Sequence, residues 1–146
     1  MNLYTIGFTK KSARSFFESI KTNGIKMLID IRINNSSQLA GFSKGSDLEY
    51  FLDKICNCRY KHEIIFAPTQ EIMDSGKSKK ISLEIFEKLY SELMETRNSL
   101  NYFIENYSSI KNICLLCSED TPDNCHRRVL ANLLLKTIPG VSVKHL

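Results

Sequence analysis

The segment from Asn112 to Cys117, NICLLC, constrains the fold most. It is short and almost wholly apolar, and it opens directly into SEDTPDN, which is rich in turn and cap residues. A run of this length with no polar alternation reads as a strand covered on both faces, the signature of a parallel sheet between helices. The next segment fits that reading. TPDNCHRRVLANLLLK offers Thr121 as an N-cap, Pro122 at the first helical position, and Val129, Leu130, Leu133 and Leu134 as a core stripe.

The pattern repeats along the chain. NLYTIG is an apolar and β-branched run stopped by Gly7. TKKSARSFFESIKTNG then places Phe16, Phe17 and Ile20 on one helical face, with Thr9 as a candidate N-cap and Gly24 as a C-cap. KMLIDIRI reads as a buried strand whose Asp30 and Arg32, two apart, face the same side. Ser46 and Glu49 form a capping box ahead of a helix carrying Leu48, Phe51, Leu52 and Ile55. RYKHEIIF suggests a strand that Pro68 ends. Between Leu83 and Tyr107 the apolar spacing predicts one long helix, or two joined near Asn98. VSVKHL adds a final strand. No internal repeat or low-complexity segment interrupts the series.

Strands alternating with helices over 146 residues, 42% of them hydrophobic, predict a single α/β domain spanning residues 1–146. The expected architecture is three-layered and Rossmann-like, a mostly parallel sheet covered by helices. No apolar run approaches the ~20 residues needed to cross a bilayer, and no apolar stretch follows basic residues at the start, so a soluble cytoplasmic protein is expected. The five cysteines are odd in number and clustered, which argues for reduced thiols over a disulfide framework. A net charge of +4 and the cluster Lys77, Lys79 and Lys80 are compatible with a polyanionic partner, though a solvated loop would look the same.

In open α/β sheets ligands bind beyond the carboxyl ends of the strands. Thr5 and Gly7 close the first strand, Asp30 and Arg32 the second, and Ser118 and Glu119 come directly after NICLLC, so separate stretches point to one place. A helix beginning near Pro122 would aim its unpaired N–H groups at an anion there. Arg127 is the candidate to clamp phosphate with two parallel hydrogen bonds, whereas Arg128, rotated by about 100°, should face away.

Cys117 and Cys125 admit three readings. With His126 and Glu119 they are a possible zinc set. Against that, Cys114 and Cys117 lie three apart on a strand and face opposite sides, and adjacent Cys125 and His126 should diverge on a helix. No metal or other cofactor is therefore expected. Either cysteine near a helix N-terminus suits a nucleophile, Cys125 foremost. An arginine six residues after the cysteine, as in a phosphatase loop, is excluded, because those positions are Asp123 and Ala131. Equally, both thiols can simply pack the loop. Glu119 and Asp30 are candidate general acids or bases, Asp30 alternatively an ion-pair partner of Arg32 or Arg127. His126 is a proton carrier or a donor to a backbone carbonyl. His62 and His145 receive no role, and Tyr4, Phe8 and Phe42 are stacking surfaces or core.

These residues resemble a family known as a domain of unknown function, DUF488. The likeness is carried by YTIGFT, LIDIRINN, GFSKG, APTQEIMD and, most specifically, LLCSEDTPDNCHRRVLANLL. The family pattern usually has a histidine where this chain has Phe8, and a proline soon after Asp-x-Arg where this chain runs Ile33-Asn34-Asn35. The resemblance implies an α/β fold and a site at Asp30, Arg32, Cys117, Glu119, Cys125, His126 and Arg127. Relatives joined to DNA-repair-type modules imply a nucleic-acid setting. The residues leave three readings: an enzyme on a phosphate-bearing substrate such as a nucleic acid or nucleotide, a binding module without turnover, or a structural domain with an internally satisfied polar motif. A cleft lined by the polar residues favours the first two, a closed network the third.

Overall fold

A computed structural model describes residues 1–36 and 40–146. The strands are β1 (Asn2–Gly7), β2 (Met27–Asp30), β3 (Arg59–His62), β4 (Asn112–Cys117) and β5 (Ser142–His145). The helices are α1 (Ala13–Thr22), α2 (Gly45–Phe51), α3 (Gln70–Lys77), α4 (Leu83–Thr96), α5 (Ser99–Tyr107) and α6 (His126–Thr137). All strand pairs are parallel, in the order β3-β2-β4-β1-β5. The expected three-layer α/β sheet is therefore present, with NICLLC as its central strand.

Alternation along the strands divides the core. Ile113 and Leu115 of β4, with Leu3 and Ile29, pack against Tyr90, Phe103, Leu130 and Leu134 of α4, α5 and α6. Cys114 and Leu116, with Ile6 and Leu28, pack against Phe16, Phe17 and Ile20 of α1 and Leu48 of α2. The chain leaves β2 toward one face and β4 toward the other, although the two strands are neighbours. Adjacent strands feeding opposite layers open a crevice at their carboxyl ends.

Several helix ends differ from expectation. Ser12, not Thr9, caps α1, its hydroxyl accepting from Ser15 N, and Gly24 comes after the C-cap Asn23 at φ +60°. Thr9 instead bonds across to β4's exit, its hydroxyl donating to Ser118 O at 2.6 Å. α2 begins at Gly45 with no side-chain cap, so the Ser46–Glu49 box does not form, and the helix runs on into a π turn over Leu52–Cys56. Thr69 caps α3, an element the polar sequence TQEIMDSGK does not announce. The break in Leu83–Tyr107 falls at Asn98, whose left-handed φ of 53° separates α4 from α5.

The largest departure is at α6, which starts at His126 instead of Pro122. Pro122–Cys125 form a turn closed by Cys125 N donating to Pro122 O. From the first turn of α6 the Arg127 guanidinium reaches back to donate to the carbonyls of Glu119 and Asp120 in the preceding loop. Among the described residues no helix is long and apolar enough to cross a membrane.

Candidate functional site

Two polar groups lie at the carboxyl edge, one on each side of the sheet. The first is built around Asp30, which has no exposed surface. Arg32 donates to both its carboxylate oxygens, Nε to Oδ1 at 2.8 Å and Nη2 to Oδ2 at 2.5 Å, and Nη2 also donates to Ser43 O. Tyr60 adds its hydroxyl to Oδ2 at 2.7 Å. The register explains why: Tyr60 pairs with Leu28 on the same face of the sheet as Asp30. Phe8 lies 5.2 Å from the Arg32 guanidinium, a cation–π contact at the position where relatives usually have histidine. His62 Nε2 holds the Arg32 carbonyl at 2.8 Å. Burial lowers the pKa of Arg32, but the hydrogen bond and charge of Asp30 outweigh it and leave the guanidinium raised. Burial and the Asp30 charge push the Tyr60 phenol upward.

The second group combines β4's last residue with the start of α6. Cys117, Cys125 and His126 are each buried, and a sulfur or ring nitrogen of each lies within 4.8 Å of the others. Cys117 Sγ is 3.7 Å from the His126 ring nitrogens, and His126 Nε2 is 3.1 Å from Ile31 O. The expected divergence of Cys125 and His126 is overturned. Cys125 is the N-cap, extended at φ −132° and ψ 136°, so its side chain does not follow helical geometry and turns back to Cys117. Cys114 does face the opposite layer, with Cys58 and Leu116. All five cysteines are free. A hydrogen bond from Cys125, opposed by burial and aided by the His126 charge and the Glu119 N–H, holds the Cys117 thiol well below the usual thiol range. Cys125 is pushed up by that same bond and by burial. Burial lowers the pKa of His126, but the charge and hydrogen bond of Cys117 reverse this and leave it raised.

A cleft of about 550 Å³ opens beside this second group. Cys117, Cys125, His126, Arg32 and Glu119 are among the residues that line it. α3, the connection after it and the start of α4 also line the cleft, with Met73, Lys77, Lys79 and Phe86. Of the lysine cluster that the sequence offers to a polyanionic partner, Lys77 and Lys79 line the cleft; what the sequence does not announce is the helix α3 that carries Lys77. Glu119 is an exposed residue of the cleft lining, and its carbonyl is engaged by Arg127. Arg32 is 4% exposed, and its Nη1 has no hydrogen-bond partner among the described residues.

Four expected site residues lie elsewhere. Arg127 has no exposed surface and spends its guanidinium on loop carbonyls, so it clasps the β4–α6 loop and does not line the cleft. Asp30 is closed off by Arg32 and Tyr60 and does not line the cleft. Thr5 is buried, its hydroxyl 2.7 Å from His145 Nδ1. Gly7 serves as a close-approach point for the Arg127 clasp. Arg128, expected to face solvent, is half-buried and bonds the Glu87 carboxylate.

Residues 12–134 match the domain of unknown function DUF488. The chain belongs to the DUF488 family. That span contains the whole cleft of this DUF488 chain and, apart from Phe8, both polar groups. Comparison with curated proteins and with solved structures gives no match.

Proposed function

We propose that this chain is an enzyme acting on a phosphate-bearing substrate, a nucleotide or a nucleic acid, held in the cleft beyond β2 and β4. One observation carries the reading: Cys117, Cys125 and His126 line the same cleft as Lys77 and Lys79. The starts of α4 and α6 also border the cleft, and their positive dipole ends favour an anion. Met73, Ile81 and Phe86 give the wall an apolar stretch against which a base can lie. The volume lies within the range of small-molecule sites.

In this arrangement the lysines position phosphate, and the thiol–imidazole group forms the reacting end. Glu119, an exposed carboxylate beside that group, moves protons. The enclosed network of Asp30, Arg32 and Tyr60 keeps the rim in place.

The test is binding of a labelled nucleotide and of single- and double-stranded oligonucleotides across a salt series, with subsequent analysis of the products. Binding should weaken as salt rises. The double variant Lys77→Ala/Lys79→Ala should lose about tenfold in affinity and lower the salt slope by about one to two. Glu119→Gln should bind as the parent does and lose turnover. Absence of salt-sensitive binding, or binding indifferent to both lysines, would remove the phosphate reading.

A further inference from the structure

Cys117, Cys125 and His126 have a geometry that hydrogen bonding alone does not require. We infer that they form a zinc site of the open kind, with three protein ligands and a fourth position facing the cleft.

The spacing supports a single ion. Zinc lies about 2.3 Å from thiolate sulfur and about 2.0–2.1 Å from imidazole nitrogen, so at tetrahedral angles sulfur and nitrogen stand roughly 3.6 Å apart. Cys117 Sγ and His126 Nδ1 are 3.7 Å apart, and the three donors lie within 4.8 Å of one another. Cys117 Sγ is equally 3.7 Å from Nε2, so closing the set around one ion takes a turn of the thiol or the ring that brings the sulfur to the Nδ1 side.

The surroundings are those of a metal site. A ligating histidine normally gives its other ring N–H to a carbonyl or carboxylate, which fixes the tautomer. His126 Nε2 lies 3.1 Å from Ile31 O, so Nε2–H donates there and leaves the Nδ1 lone pair for the ion. Arg127 Nη1 reaches Cys125 Sγ at 3.8 Å, a buried cation beside the second sulfur. Two thiolates balance the charge of Zn²⁺, which makes burial of the set tolerable. The chain supplies these ligands from two rigid places, the end of the central strand and the first turn of α6. Among the described residues this is the one group of three or more such side chains close enough to share an ion.

The fourth side of the set is the cleft. All three residues line it, as does Glu119. Two cysteines and one histidine with an open position is a ligand set used for catalysis, whereas structural zinc takes four protein ligands. This inference deepens the proposed enzyme reading by assigning the reacting end of the cleft to an ion, but its test needs no substrate.

The full chain is reduced, stripped of metal and titrated with Co²⁺ as a spectroscopic stand-in for zinc. The expected result is one equivalent bound, with near-ultraviolet thiolate-to-cobalt charge transfer and visible bands of tetrahedral intensity. Cys117→Ser and Cys125→Ser should each lose much of the charge transfer, and Cys58→Ser should keep it. X-ray absorption of the zinc-loaded parent protein, which depends on no variant, should give two sulfurs and one imidazole nitrogen in the first shell. Absence of charge transfer in the reduced parent protein, charge transfer that survives both serine variants, or a first shell without sulfur would each overturn the site. If cobalt binds as described and no oligonucleotide or nucleotide does, the metal site stands and the phosphate-substrate reading alone fails.

Discussion

The guanidinium of Arg127 occupies space that a side chain at Gly7 would need. A β-carbon on Gly7 would lie 2.7 Å from Arg127 Nη1 and inside the contact radius of the Glu119 carbonyl oxygen that Arg127 holds. Nothing about the Gly7 backbone demands glycine through a positive φ. The demand is for close approach, because β1 must pass under the loop that leaves β4. Gly7→Ala should push that loop outward and cost about 1–3 kcal/mol, the usual penalty of overpacking. Urea denaturation measures it, and a loss well under ~0.5 kcal/mol would mean that the clasp is looser than described.

The buried pair of Asp30 and Arg32 predicts an asymmetry between breaking and replacing. Asp30→Asn leaves a nearly enclosed guanidinium without its counter-charge and should cost about 3–5 kcal/mol. Asp30→Leu, Arg32→Met and Tyr60→Phe together remove the charges and the phenol that needs an acceptor, and should cost less than Asp30→Asn alone. Equal losses in denaturant titrations would show that packing, and not the unpaired charge, dominates at this corner.

How far the sequence is legible depends on the physics of each element. Parallel strands announce themselves as short apolar runs, so β1, β2 and β4 can be placed from the residues alone. Caps are less legible, since Thr9, Ser12 and Ser46 are all good cap residues and tertiary contacts decide among them. Arg127 reads as a ligand clamp because arginine is seldom fully buried, and no local pattern reveals that Gly7 and the Glu119 carbonyl make room for it. The convergence of Cys125 with His126 stays hidden as long as both are taken to be helical. It depends on the extended backbone of an N-cap residue, and so on where α6 begins. Tyr60 is the residue that sequence reasoning could have found, because its place on β3 shares the face of Asp30 once the register is known.

Cys58, on the α1 side of the sheet and away from the cleft, gives a pH prediction. Burial, with repulsion from Cys56, pushes its thiol from 9.0 up to about 12. The folded chain therefore keeps the proton where the unfolded chain loses it. Above pH 9.0 the unfolded state binds fewer protons, so the stability contributed by this group is complete below that pH and is lost as pH rises toward about 12. Denaturation midpoints should fall across this window, and Cys58→Ala should fall less steeply than the parent. Identical slopes would mean that Cys58 contributes nothing and that other groups pushed upward by burial, among them Tyr60, Tyr90 and Cys114, carry the effect.

Phe8 stands where relatives usually have histidine, and its position separates two consequences of that difference. The ring packs into the α1 side of the core and over Arg32, on the opposite side of the sheet from His126, which lies against Tyr90. It does not line the cleft. Phe8→His should therefore destabilise the fold by about 2–4 kcal/mol, through lost apolar burial and an imidazole set against a buried guanidinium. It should leave the cobalt charge-transfer spectrum of the Cys117, Cys125 and His126 group unchanged. Because the variant is measured well below its denaturation midpoint, a spectrum that shifts with Phe8→His would show that the two polar groups communicate through the sheet. An unchanged spectrum on a less stable protein would place the residue 8 difference in the support of the Asp30–Arg32 network, with the reacting end of the cleft intact.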